Sequence, residues 1–500
     1  MLVIRNGRVL RAADRALDAL DILVRGDAIA EIGPRGMAAP ADAAVVDATD
    51  MLIVPGLINA HTHGHGGLTR GLGDRWSLEL LLNAAPWLNG GRSAEDRYVS
   101  TVLGAIEMVQ KGTTACYDLT LELPMPTADG IAAVARAYAE VGMRAVVAPM
   151  MADRTLYEAL PALGRAVPAE HRAAVERLRL PPWEETLRAA VGVLRTWAHD
   201  REQVAPALAP TIPLHCSDPF LLACRDAARE HGAGVHMHLA ESRAQAVSGL
   251  EVYGTTLTGH LERLGILGPA FTAAHGVWLD DADLSRLADA GAAVAHNPGS
   301  NLRLGSGVAR VRAMRRRGIA VGIGTDAAVC SDNLNMFESM RAASFVSRLE
   351  SSEVEDWLST PEVFAMATEG SARALGWGSR LGRIAAGCKA DLVFLDAGHV
   401  NYVPLNDPVN QVVHAEDGTA VRRVMIGGRV VVENGRVTTV DMARVRAMVE
   451  ASVERLRAAT APARRVAESL EPSLIGACRA LAARPYSTER AIFRVGGTGA

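Results

Sequence analysis

His61 and His63 stand two residues apart where an apolar, strand-like run closes. Residues i and i+2 of a strand point to the same face, so both imidazoles can reach one ion. Histidines at strand ends also satisfy backbone groups, so the pair alone leaves two readings open. A later run, 234–239, carries His236 and His238 and is followed by Glu241. That spacing offers His238 as a ligand at the strand end and Glu241, just past it, as a carboxylate that moves protons without holding metal. His236 shares the face of His238 but lies deeper, and reads as a hydrogen-bonded core histidine. His275 closes the run 271–274, and Asp326 follows the run 320–323. A lone aspartate after a strand is usually a helix cap, and a lone histidine is usually structural. Ligand-type groups at the ends of four separate runs are hard to reconcile with four accidents. The chemistry such a set would do is activation of water by a divalent cation, with the carboxylate of Glu241 moving protons. His65, between Gly64 and Gly66, reads as a pocket neighbour. His296, ahead of the turn-forming string 297–301, stays ambiguous.

Eight apolar runs would position these groups: 53–58, 113–117, 145–149, 204–209, 234–239, 271–274, 292–295 and 320–323. Helical periods lie between them, for example around 102–109 and 133–139. Eight β/α units predict an α/β fold, a (β/α)8 TIM-type barrel, with a doubly wound open sheet as the alternative. Residues 2–4, 9–10, 21–24 and 29–32, with turns at Asn6-Gly7 and Gly26-Asp27, predict a meander. Strand and turn signals return at 391–395, 421–426 and 430–432, with Gly427-Gly428 and Asn434-Gly435 between or after them. Neither set can bury a face alone, so one small discontinuous β-sandwich built from both ends of the chain is expected. The expected bounds are 1–55 with 384–440 for the sandwich and 56–383 for the barrel. A C-terminal helical extension, 441–500, follows from Val445, Met448, Val449, Val453 and Leu456 at helical spacing, with a flexible Gly-rich tail at 496–500. Pro181-Pro182 marks a loop within the long connection 151–203.

A chain of 500 residues with 49% hydrophobic and 22% charged residues can bury a large core, and a net charge of −4 supplies no basic field for nucleic acid. Six cysteines without a Cys-x-x-Cys pair imply neither a disulfide scaffold nor a thiolate metal knuckle. The N-terminal segment lacks a signal-peptide core and no run approaches a membrane span. A cytoplasmic protein with a small-molecule partner, and neither nucleic acid nor membrane, is expected. A homo-oligomer is expected as well.

Taken in order, Pro55-Gly56-Leu57-Ile58-Asn59-Ala60-His61-Thr62-His63, His238-Leu239-Ala240-Glu241, His275, the string 296–301, and Gly324-Thr325-Asp326 running on to Asn333-Leu334-Asn335-Met336 resemble the amidohydrolase superfamily. The match is to its mononuclear-metal branch of aminohydrolases and chlorohydrolases, and it extends over nearly the whole chain. The stretch 382–395, with Gly387, Ala390 and Asp391, resembles the return into that family's sandwich domain. The resemblance implies that His61, His63, His238 and Asp326 bind one divalent ion, zinc with iron as the alternative. It implies that Asp326 accepts a proton from the bound water, that the hydroxide attacks a ring carbon, and that Glu241 protonates a ring nitrogen. His275 would orient the water and stabilise charge on the new oxygen, and ammonia would leave.

Binuclear members of the superfamily bridge two metals with a carboxylated lysine after a middle barrel strand. Lys111 and Lys389, the only lysines, are not placed for that, so a mononuclear site is expected. Cys330 stands where adenosine-type members usually have serine, and Thr211 where they tend to have histidine, which argues against an S-adenosylhomocysteine or methylthioadenosine substrate. Cys330 is expected to face substrate, with a metal-ligand role as the alternative. Arg154, Tyr157 and Trp183 could contact the ring or lie on helix surfaces. The reaction expected is removal of an amino group from a purine, pterin, pyrimidine or triazine-like ring. Its rivals are a hydrolase expelling chloride or alkylamine from a triazine-like ring, and a non-catalytic metalloprotein scaffold.

Overall fold

The computed structural model describes residues 1–488; the tail expected at 496–500 lies outside the described residues. Eight parallel strand positions form the barrel: Leu57–Thr62, Thr113–Thr120, Arg144–Met151, Val204–Pro206 with Ala209–Pro210, Val235–Leu239, Phe271–His275, Ala293–His296 and Ala320–Ile323. Their near-continuous burial is what a parallel sheet covered on both faces requires. The strands form two arcs, joined by parallel bridges between Leu208 and Val235 and between Thr62 and Asp326. The second bridge bears on the site, because barrel closure sets Asp326 beside His61, whose carbonyl accepts from the Asp326 N–H at 2.9 Å.

Two of the expected runs divide. The run 53–58 breaks at Gly56: Met51–Pro55 belongs to the β-layer and Leu57 starts the barrel. A Cβ at Gly56 would lie 2.1 Å from Thr114 Oγ1, so only glycine lets the chain pass this close to its neighbour. The run 204–209 is interrupted because Leu208 turns its N–H to the Gly234 carbonyl, 3.0 Å away, instead of staying on the third strand.

Both ends of the chain build the second β-structure. Leu392–Asp396 runs antiparallel to Met51–Pro55 and then pairs with Val421–Ile426. The N-terminal part is not a meander. Leu2–Arg5 and Arg8–Arg11 both pair with the long strand Ala16–Arg25, the first with its later half and the second with its earlier half. Asn6, at φ 68°, turns the chain between them. Ala44–Asp47, which has no strong alternation, adds in parallel to Leu2–Arg5. Ile4, Ile22, Ile29, Ile53, Leu392 and Phe394 fill the interior. The β-layer is tied to the barrel by a buried pair: Arg144 Nε donates to Asp391 Oδ2 at 2.8 Å, and Gly427 N–H donates to Asp391 Oδ1 at 2.7 Å. Because both partners are buried, losing one leaves a desolvated charge.

The helix Met442–Ala482 runs through Pro462 and Pro472 and packs along the helix Leu78–Asn89, where Asn83 Nδ2 donates to the Ala467 carbonyl at 2.9 Å. Asp441 caps its start by accepting from Ala443 N–H. Beyond its end, the Tyr486 hydroxyl donates to the Trp278 carbonyl at 3.1 Å.

The turn after the helix Met336–Ser347 holds Glu350, whose carboxyl is pushed from 4.5 to about 7 by burial, against the opposing pull of the Arg312 and Val311 N–H groups and the Arg310 and Arg312 charges. A folded-state value above the unfolded one means that this stability contribution is complete below about pH 4.5 and is lost as pH rises through about 7. Glu350→Gln is therefore expected to melt a few degrees above the parent at pH 8, with the gap closing at pH 4.5; the upper bound on the gain is about 3 kcal/mol. Melting midpoints of both proteins at the two pH values check this, and a gap independent of pH would remove the ionisation from the account.

Candidate metal centre

His61, His63, His238, Glu241, His275 and Asp326 arrive at one end of the barrel, where the strands terminate at their C-terminal ends. Three residues there take left-handed backbone: Ala240 at φ 49°, His275 at φ 70° and Asp326 at φ 63°. A non-glycine residue in this region costs about 1–2 kcal/mol, and such strain gathers at functional sites. Here it turns the chain sharply at three strand ends, so the side chains point into the mouth. Gly324 permits the eighth turn, since a Cβ there would lie 2.3 Å from Asn297 Oδ1 and 2.8 Å from the His61 carbonyl.

His61, His63, His238, His275 and Asp326 are all buried, and they converge. His63 Nε2 lies 3.0 Å from Asp326 Oδ1 and 3.3 Å from His238 Nε2; His61 Nε2 lies 3.6 Å from Asp326 Oδ1. The outer ring nitrogens are already engaged. His63 Nδ1 donates to the Leu119 carbonyl at 2.5 Å, His238 Nδ1 to the Thr211 carbonyl at 2.9 Å, and His275 Nδ1 to Asn301 Oδ1 at 2.9 Å. With their protons placed there, the Nε2 atoms present lone pairs inward. Acceptors thus face acceptors, and His61 Nε2 is buried with no hydrogen-bond partner. A cation resolves that arrangement, and imidazole with carboxylate is a donor set for a divalent metal. Two overlapping groups have the required spacing: His61, His63 and His238, and His61, His275 and Asp326.

The electrostatics agree. Burial drives the His61 imidazolium down to about 3 and that of His238 well below its ordinary range, the latter helped by the neighbouring histidines, so both are neutral and able to ligate. Burial opposes ionisation of Asp326, but the facing ring nitrogens of His61 and His63 outweigh it and hold the carboxyl well below its usual range. Ser300 Oγ donates to Asp326 Oδ2 at 2.6 Å and Ala327 N–H to Oδ1 at 2.8 Å. Glu241 is the contrast: burial first, then the charges of Asp326 and Glu79, push it well above the carboxylate range. Its Oε2 lies 3.5 Å from His275 Nε2, which is itself 3.8 Å from Asp326 Oδ2.

His65 lines the cavity in front of the cluster, with Nδ1 accepting from Leu121 N–H at 3.0 Å. His236 is buried, with its Nε2 3.2 Å from His61 Nδ1 and its ring edge-on to Tyr117 at 4.3 Å between centroids. His296 is buried and shares no ligand group with the others among the described residues. Cys330 lines the cavity, and its thiol, raised by burial, lies 3.4 Å from the Ala327 carbonyl rather than within either ligand group. Arg154 and Tyr157 line a second, outer cavity, while Trp183 stacks on Phe220. Lys111 pairs with Glu107 at 3.3 Å, and Lys389 with Asp27 and Glu202 at 2.5 Å from the latter's Oε2, so neither reaches the centre. Sequence reasoning missed Ser300, Asn301 and the carbonyls of Leu119 and Thr211. The first two hid in a turn-forming string that becomes the helix Pro298–Arg303, and backbone acceptors leave no trace in residue identity.

Residues 52–431 match the profile of the Amidohydrolase family. The chain belongs to that family. This amidohydrolase is 33% identical over 460 residues to a 5-methylthioadenosine/S-adenosylhomocysteine deaminase of Caldanaerobacter subterraneus subsp. tengcongensis, covering 91% of the present chain and 98% of the relative. It is 32% identical over 456 residues to a 5'-deoxyadenosine deaminase of Methanothermobacter thermautotrophicus, covering 91% and 95%. Among solved structures it resembles an adenosine deaminase from Xanthomonas campestris with bound zinc, at 27% identity and a TM-score of 0.79 over 91% of this chain and 98% of that one. It also resembles an atrazine chlorohydrolase from Arthrobacter aurescens complexed with zinc, at 26% identity and a TM-score of 0.80 over 91% and 100%. The amidohydrolase is accordingly a divalent-metal hydrolase of the branch that removes amino groups from nitrogen heterocycles.

Proposed function

We propose that His61, His63, His238 and Asp326 hold one zinc ion and that Glu241, His275 and Asp326 carry the proton transfers of a heterocycle deamination. The observation that carries this reading is the meeting of buried imidazole Nε2 and carboxylate atoms at 3.0–3.6 Å, with His61 Nε2 left without a hydrogen-bond partner; the zinc-bound neighbours support the choice of metal. When bound, such an ion acts as a Lewis acid and makes hydroxide available near neutral pH. Asp326, ionised and steadied by Ser300, takes the proton of the attacking water. His275, fixed by Asn301, faces both carboxylates and stabilises charge on the oxygen that joins the ring carbon. Glu241 gives its proton to a ring nitrogen, takes one from the new hydroxyl and passes it to the departing amine, and the proton held by Asp326 then returns Glu241 to its acid form. The exocyclic C–N bond breaks as the C=O double bond forms, and ammonia and a ring carbonyl are the products.

Expulsion of chloride or alkylamine from a triazine is the second reading, drawn from the chlorohydrolase neighbour. Glu241 favours the amine, because chloride leaves without protonation. A panel of amino- and chloro-substituted purines, pterins, pyrimidines and triazines, scored for ammonia and chloride with the zinc-reconstituted protein, tests both. Chloride release without ammonia release would reverse the order of the two readings.

His236 supports the same centre through His61. With His61 Nε2 turned to the metal, its Nδ1–H donates to His236 Nε2, which fixes the ring's tautomer and direction. His236→Phe is expected to weaken zinc retention by about 10–100-fold, with His236→Gln recovering part of it through its amide oxygen. Competition with a chromogenic chelator reads the effect, and equal retention in all three proteins would reduce His236 to packing.

A further inference from the structure

The cavity in front of the metal cluster has a volume of about 90 Å3 and is continuous in its lining with an outer one of about 360 Å3. Six residues border both: Leu82, Ala85, Leu121, Met150, Thr211 and Ile212. They form a neck, and five of the six offer no side-chain hydrogen-bonding group. Thr211 Oγ1 is the exception; it is buried and has no partner. The inner chamber is walled further by Leu78, Leu81, Leu88 and Val329; away from the metal cluster it carries His65, Thr211 Oγ1 and Asn89 Oδ1, the last two without partners. Asn89 Nδ2 is spent on the Ala85 carbonyl at 3.3 Å. Glu79, the carboxylate nearest on the same helix, is spent on the hydroxyls of Ser77 and Ser242 at 2.9 and 2.6 Å.

A ring whose reacting carbon lies at the metal cluster must carry its largest substituent through this neck. A sugar would bring two or more hydroxyl groups against Leu82, Leu121, Met150 and Ile212, with one threonine hydroxyl to meet them. Each buried hydroxyl without a partner loses its hydration for nothing in return. An alkyl chain gains by leaving water in the same place. We propose that the substrate is an amino-substituted nitrogen ring whose substituent is apolar and unhydroxylated where it threads the neck, rather than a nucleoside; beyond the neck the outer cavity carries Arg154, Arg177, Arg179 and His215. This rests on the deaminase reading for the position of the ring, and it sets this chain apart from the nucleoside specificity named for the two deaminases compared above.

The test uses two rings, adenine and 1,3,5-triazin-2-amine, each carrying either a butyl or a 2,3-dihydroxybutyl group. Turnover is followed as ammonia release by the zinc-loaded protein, and affinity for the corresponding hydroxy-ring products is followed by calorimetry. The butyl member is expected to be favoured at least about tenfold on whichever ring is accepted, as the loss of pairing for a buried hydroxyl implies. Ile212→Ser, which places a hydroxyl in the neck, is expected to narrow that ratio several-fold by improving the dihydroxybutyl member. Equal or better handling of the dihydroxybutyl compounds, or no binding of either ring, overturns the proposal. Tight, butyl-selective binding without ammonia release would instead sink the deaminase reading and leave the substituent preference standing.

Discussion

Glu241→Gln is expected to lower turnover of an amino-substituted ring by about 10²–10⁴-fold, the range typical of a positioned general acid–base group, with zinc content and melting temperature unchanged. The side chain is buried, contacts no ligand atom more closely than the 3.5 Å to His275 Nε2, and belongs to neither group of potential metal ligands. Its burial and the nearby charges of Asp326 and Glu79 hold a proton on it. Glutamine keeps the volume and the backbone bond from Glu241 N–H to Gln245 Oε1 at 3.0 Å, but it has no proton to give. The deficit should be smaller on a chloro-substituted version of the same ring, because that leaving group needs none. Equal deficits on both rings would confine Glu241 to ring-nitrogen protonation or to positioning, and undiminished deamination would take it out of the mechanism.

His238→Ala is expected to take bound zinc from about one ion per chain to near zero, since a ligand set of this size holds its metal only when complete, and to abolish ammonia release with it. His238 is a proposed ligand from the second arc of the barrel, and its Nδ1 is pinned to the Thr211 carbonyl at 2.9 Å. Its removal also relieves the crowding of His63 Nε2 at 3.3 Å, so the fold should survive. Elemental analysis after gel filtration, with circular dichroism as the control for folding, decides the matter. Retention of a full equivalent would move the centre to the alternative group of His61, His275 and Asp326. Two tightly held ions in the parent would contradict the mononuclear reading drawn from the scarcity of lysine.

Much of this protein is legible in one dimension. The eight apolar runs mark the barrel strands because strands buried on both faces must be apolar throughout, and the ligand-type residues fall at their ends because a barrel presents only those ends to substrate. Legibility failed where partners, rather than residue types, set the outcome. The first run could not be divided at Gly56 from its own text, since Met51–Pro55 and Leu57–Thr62 are equally apolar and differ only in which sheet takes them. The strand Ala44–Asp47 likewise exists because Leu2–Arg5 presents a free edge to it.

At the site, residue identity alone named His61, His63, His238, Glu241, His275 and Asp326, because imidazole and carboxylate groups at strand ends carry a chemistry that few other arrangements share. Only closure of the barrel decided that residues 265 positions apart, His61 and Asp326, meet through a backbone bond of 2.9 Å. Tertiary packing decided two further things. It turned His236 onto His61, and it raised the carboxyl of Glu241 while lowering that of Asp326, two groups of nearly the same intrinsic acidity. The reason is physical: local sequence sets side-chain chemistry and direction along a strand, whereas the proton affinity of a buried group depends on the charges and hydrogen bonds that distant segments bring around it.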